Sequence, residues 1–105
     1  MLELPYPPTV LNPNKKAHWA VKSNAAKKYR KQVGWIAKTH PPLKEFKITF
    51  HPRRKDADRD NAIAAFKSGQ DGLQDAWGIN DRDFIIHYQP LGKSIKGGKI
   101  ILEKL

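Results

Sequence analysis

From Ser23 onward the apolar residues Ala26, Tyr29, Val33 and Ile36 recur every three or four positions, and at Pro41 and Pro42 that rhythm stops. The next stretch, Leu43 to Phe50, alternates apolar and polar instead. A switch from a 3.6-residue to a 2-residue period across a proline pair requires a helix, a break and then a strand. Ser23 is the natural N-cap of that helix. Further on, Ile63, Phe66, Gln70, Leu73 and Trp77 return to helical spacing and Gly78 closes the pattern, while Leu2 to Tyr6, Phe84 to Gln89 and Lys99 to Lys104 alternate as strands do. The Gly97-Gly98 pair lies in the connection between the last two strands.

With 105 residues, the chain has room for one core and little more. The expected fold is therefore α+β: a single compact domain, residues 1–105, with a mixed β-sheet and two main helices in the order β-α-β-α-β-β.

Twenty Lys and Arg against ten Asp and Glu give a formal charge of +10, which points to a polyanionic partner, although such a charge also serves solubility alone. The charge is unevenly placed. Residues 56–83 hold seven acids and three bases, a net of −4, and the remainder holds seventeen bases and three acids, a net of +14. The absence of cysteine excludes disulfides, thiolate metal sites and a cysteine nucleophile. No stretch is apolar enough to span a membrane and the N-terminus lacks the pattern of a signal peptide, so a cytoplasmic protein with no membrane association is expected.

The acidic island begins with DADRDN, Asp56 to Asn61, directly after HPRRK. In an extended segment Asp58 and Asp60 point the same way and can share one ion, with or without Asp56. Two bare carboxylates about 5 Å apart repel by roughly 3 kcal/mol at an effective dielectric near 20, which a divalent cation reverses. All-oxygen ligation suits Mg²⁺, with Mn²⁺ as a substitute. Without a metal, the same spacing allows Asp58 or Asp60 to cap the second helix. A calcium loop does not fit, because Asn61 stands where that loop needs glycine and Lys67 where it needs glutamate.

Taken in order, LPYPP, the basic stretch KKYRKQ, DRDN at 58–61, K-x-x-x-DGL at 67–73 and ND at 80–81 resemble the RusA family of Holliday-junction resolvases, small metal-dependent endonucleases of phages and prophages. The resemblance covers nearly the whole chain. It implies that Asp58 and Asp60 are the paired catalytic, metal-binding aspartates, that Asp81 is the third, and that Lys67 is the essential lysine. Here Lys67 follows Asn61 by six positions, where the best-known pattern has three. A homodimer acting on four-way DNA, with no organic cofactor, is implied as well. Lys67 and Asp71 stand four apart on one helix face, a spacing that lets the acid hold the lysine.

Phosphate contacts are expected from Arg53, Arg54, Lys55 and Arg59 around the acidic cluster, and from Lys15 and Lys16 on a turn-rich loop. Lys27, Lys28, Lys31 and Lys38 on the first helix and Lys93 and Lys96 before the last strand extend the basic surface. The four histidines have no metal-ligand spacing, and only His51 lies near the cluster. Trp19 and Trp35 could stack on bases, whereas Trp77 fits the apolar stripe. The competing functions are a non-catalytic basic DNA-binding module and a related nuclease that cuts flaps or forks.

Overall fold

A computed structural model describes all 105 residues, Met1 to Leu105. β1 (Leu2–Leu4) leads through a 3-10 turn at Thr9–Leu11 to α1 (Trp19–Ala37), then β2 (Glu45–His51), α2 (Arg59–Ala65) and α3 (Lys67–Trp77). A second 3-10 turn, Asp81–Asp83, precedes β3 (Ile85–Tyr88) and β4 (Lys99–Lys104). The strands form one mixed sheet in the order β1-β4-β2-β3.

Alternation decides which side of the sheet is buried. Phe46, Ile48 and Phe50 of β2 pair with Lys104, Leu102 and Ile100 of β4. Apart from Lys104 at the sheet's end, these residues are buried, as are Leu2 and Leu4 of β1. The opposite face carries Glu3, Glu45, Lys47, Lys99 and Glu103. One layer of helices therefore covers one face of the sheet, with Tyr29, Val33, Phe66 and Leu73 closing a single core. The radius of gyration, 13.0 Å, is that of one domain of this length.

β2 and β3 run parallel, with Phe46 opposite Ile86 and Ile48 opposite Tyr88. A parallel pair needs a long crossover, and α2 with α3 supplies it. β3 and β4 are consecutive but not neighbours, because β2 lies between them, so the connection that holds the Gly97-Gly98 pair crosses past β2.

α1 and α3 approach at glycines. A Cβ at Gly72 would stand 2.5 Å from the Arg30 carbonyl oxygen, so only hydrogen fits there. The indole N–H of Trp77 donates to the carbonyls of Ala37 (3.0 Å) and His40 (3.2 Å), satisfying acceptors at the end of α1. Trp77 is thus a partly buried packing residue and not a base-stacking one.

Three element boundaries differ from expectation. α1 begins at Trp19, four residues before Ser23, because His18 caps it: Nδ1 accepts from the Ala20 N–H at 3.2 Å. The first strand ends at Leu4, before Pro5. The second expected helix is two helices, giving three in all, since the ladder of α2 ends with the Phe66 N–H on the Ala62 and Ile63 carbonyls and resumes with the Gln70 N–H on the Phe66 carbonyl. The apolar stripe runs through that break because Phe66 remains buried.

Candidate active site and basic surface

After β2 the chain leaves the sheet at Pro52, turns at Lys55 and Asp56, and enters α2 at Asp58. Asp58 has extended backbone angles, φ −107° and ψ 130°, and its Oδ1 accepts from the Asp60 N–H at 2.8 Å. It is the N-cap of α2, and Asp60 occupies the first turn beside the unpaired N–H groups. The two aspartates do not project together from an extended segment, as the alternation suggests, because the helix has already begun at Arg59. Both are exposed, and the second carboxylate oxygen of Asp58 is left out of the cap.

Asp81 lies in the turn that feeds β3, and α3 holds it with three side chains at helical spacing. Lys67 Nζ donates to Asp81 Oδ2 at 2.9 Å, Gln70 Nε2 donates to Asp81 Oδ1, and Gln74 Oε1 accepts from the Asp81 N–H at 3.2 Å. The partner of Lys67 is therefore Asp81, fourteen residues away, and not Asp71 on its own helix. The hydrogen bond to Asp81 holds the Lys67 ammonium above the usual lysine range; burial opposes this, and the charges of Asp81 and Asp71 add to it. Lys67 stays protonated across neutral pH. Tyr88 lies in the field of the same pair: burial first, then the Asp81 charge, push its phenol upward, with Lys67 opposing.

Asp58, Asp60 and Asp81 do not close into a ligand set, and no three His, Asp or Glu side chains gather closely enough to surround a metal ion. The donor chemistry still fits a hard cation that keeps most of its waters. Mg²⁺ commonly takes only one or two carboxylates, and Asp58 and Asp60 offer exposed oxygens. Both oxygens of Asp81 are bonded to α3.

The basic residues divide by what they touch. Arg53 Nη1 donates to the Pro7 carbonyl at 2.9 Å, and its guanidinium lies 5.1 Å from the centre of the Tyr6 ring. It fastens the N-terminal loop to the end of β2. Arg54 makes an exposed ion pair with Asp56 at 3.3 Å, and Arg59 reaches the Gln89 carbonyl at 3.4 Å. Lys15, Lys16, Lys27, Lys28, Lys31, Lys38, Lys55, Lys93 and Lys96 are all exposed at the surface. On α1 the basic face also presents Trp35, 73% exposed, with Lys38 Nζ 5.5 Å from its ring centre. Trp19 is exposed at the start of the same helix. His51 Nδ1 sits 2.9 Å from the Lys93 carbonyl, which ties β2 to the crossing loop and gives this histidine a structural task.

Sequence pattern alone does not single out Gln70, Gln74 and Tyr88. Gln70 falls within the apolar stripe, yet Lys67, Gln70 and Gln74 are spaced three and four apart. That polar line along one face is the available signal.

No protein-family model matches the chain. It is similar to a protein of Xylella fastidiosa (strain Temecula1 / ATCC 700964) described only as uncharacterized, 38% identical over 96 residues. The match takes in 82% of this chain and 63% of that protein, so the chain spans less than two thirds of its relative's length.

Proposed function

We propose that this chain is a Mg²⁺-dependent, structure-selective DNA endonuclease that resolves four-way junctions, working as a homodimer of the RusA type. The observation that carries the reading is the 2.9 Å contact between Lys67 and Asp81. The sequence resemblance selects these two residues separately, as the essential lysine and the third aspartate, and nothing in their spacing requires them to touch.

A divalent cation held by Asp58 and Asp60 would supply an activated water and offset charge on the leaving oxygen. The chain's own groups do the rest. Lys67 keeps a permanent positive charge at the site, suited to the non-bridging oxygens of a phosphodiester. Gln70 and Gln74 hold Asp81, so the Lys67–Asp81 pair is in place before substrate arrives. Arg54, Lys55 and Arg59 flank the aspartates and suit the neighbouring phosphates, while the basic face of α1 suits a second arm of branched DNA. Two matched cuts across a two-fold junction require two copies of a one-site chain, which is the argument for a dimer.

The test is a gel assay on a labelled four-way junction and its matched linear duplex, with Mg²⁺ and with EDTA, alongside Asp60→Asn. Paired nicks on the junction alone, lost in EDTA and in the variant while junction binding persists, are expected. Wild-type cutting by Asp60→Asn would remove the site. Salt-sensitive binding that ignores Mg²⁺ and yields no product would leave a DNA-binding module. Equal cutting of junction and duplex, or preference for flaps or forks, would keep the nuclease and change its substrate.

A further inference from the structure

The N-terminal loop folds over the segment that links β2 to α2, and between them lies an open cavity of about 270 Å³. We infer that this cavity holds a single nucleotide of the bound DNA strand and reads the edge of its base through the side-chain amides of Asn12, Asn14 and Asn61. The inference rests on the nuclease reading, since Asp58 lines the same cavity and a nucleotide seated there would lie beside a cleaving carboxylate.

Its chemistry sets the ligand class. Its lining is mixed: Tyr6 and Ala57 give it apolar surface, while amides, the arginines Arg53 and Arg54 and the aspartates Asp56 and Asp58 give it polar surface. Three asparagines present donors and acceptors together, which is what the edge of a nucleobase displays. A bare phosphate would call for donors alone and a cation for acceptors alone. The oxygen of Asn12 is already used, accepting from the Asn14 N–H at 2.9 Å, so Asn12 offers its amide donors. Asn14 is exposed, and Asn61 is half-buried in the first turn of α2.

The walls are set in advance. Arg53 bonds the Pro7 carbonyl and covers the Tyr6 ring, which also meets Phe50 edge-on at 6.5 Å, so loop and sheet are joined on one side of the cavity. Arg54 stands at the rim with its only acidic partner, Asp56, in an exposed pair that a phosphate can displace. A nucleotide therefore finds a cation for its phosphate and amides for its base in one concavity. Its size, slightly below the usual range of about 300–1,000 Å³ for small-molecule sites, suits one such unit.

The test uses the full chain, ¹⁵N-labelled, in EDTA, titrated with each of the four deoxynucleoside 5′-monophosphates and with inorganic phosphate. The side-chain amide signals of Asn12, Asn14 and Asn61 should move saturably, with affinities that differ at least about fivefold between the best and worst base. Inorganic phosphate should leave these amides in place. Asn14→Ala, a change at an exposed loop tip, should bring the four affinities together, and Arg54→Ala should weaken all four alike. Equal responses to all four nucleotides and to phosphate, or no response at millimolar concentration, would overturn the proposal. Because EDTA is present, this result does not depend on cleavage: a nuclease without base preference fails here and passes the Asp60→Asn test, and a non-cleaving DNA binder can do the reverse.

Discussion

Lys67 Nζ and Asp81 Oδ2 lie 2.9 Å apart, joining the first residue of α3 to the turn that feeds β3. Both side chains are well exposed, at 61% and 38%, so the pair's contribution to stability is on the order of 0–1 kcal/mol. Its value lies in placing charge. Lys67→Met and Asp81→Asn should each lower junction cleavage about 100-fold or more, with little change in melting temperature. If the two residues act as a unit, the double variant will be no worse than the more damaging single one. Additive losses in a cleavage assay would show that the residues act separately.

Arg53 and its neighbours should separate in a salt titration of DNA binding. Lys55 is exposed and Arg54 is held only by an exposed pair with Asp56 that a phosphate can displace, so replacing either with Ala should reduce the slope of log K against log salt by about 0.9. Arg53→Ala should leave that slope nearly unchanged. It should instead cost about 1 kcal/mol in denaturant unfolding, through loss of the bond to the Pro7 carbonyl and the contact with Tyr6. A reduction of about 0.9 in Arg53→Ala as well would return it to the phosphate contacts.

Arg30 of α1 holds Asp75 of α3 through two hydrogen bonds of 2.6 and 2.8 Å. The Arg30 hydrogen bond keeps the Asp75 carboxyl below the usual carboxylate range; burial opposes it, and the charges of Arg30 and Lys38 add to the lowering. A carboxyl lowered in the folded state stabilises above its unfolded pKa, near 3.9, and loses that contribution as pH falls through the folded value. Wild type should therefore melt above Asp75→Asn near neutral pH, and the gap should close below about pH 4. A gap that persists in strong acid would mean that the substitution acts through packing.

Gly72 tests the seam between the helices. A methyl group there meets the Arg30 backbone oxygen at 2.5 Å and Val33 Cβ at 3.2 Å, and backbone cannot step aside. Gly72→Ala should cost about 1–3 kcal/mol in denaturant unfolding. Gly34 faces the same seam, but its added Cβ would have 3.4 Å to the Gly72 oxygen, an ordinary contact. Gly34→Ala should stay within about 1 kcal/mol of wild type, since Ala's higher helix propensity works in its favour.

Local patterns in the sequence are reliable where burial follows period. Phe46, Ile48 and Phe50 alternate because one face of β2 is covered, and Asp58 fits a cap by residue type alone. The features that escape those patterns depend on tertiary contacts or on uncommon choices. His18 is an unusual N-cap, so α1 begins earlier than Ser23 implies. Phe66 stays buried through a backbone break, so apolar spacing cannot reveal that α2 and α3 are separate. Lys67 has Asp71 four residues on, yet bonds Asp81, because the crossover returns the chain to α3 just before β3. Arg53 reads as a phosphate ligand until its carbonyl partners on the N-terminal loop are seen.

Trp77 closes α1 from another helix. Its indole N–H reaches the Ala37 carbonyl, which also accepts from the His40 N–H, and the His40 carbonyl just beyond the last turn. Its ring packs 6.4 Å from Phe84, which in turn stands edge-on to Phe46 of the sheet at 5.9 Å. Trp77→Phe preserves an aromatic ring in that stack and removes only the donor and some ring area. The expected cost is about 1–2 kcal/mol, with faster hydrogen exchange at the Lys38, Thr39 and His40 amides, whose bonds to Gly34, Ile36 and Ala37 form that last turn. If unfolding became easier while those three amides kept their protection, the loss would lie in the aromatic stack and not in the closure of α1.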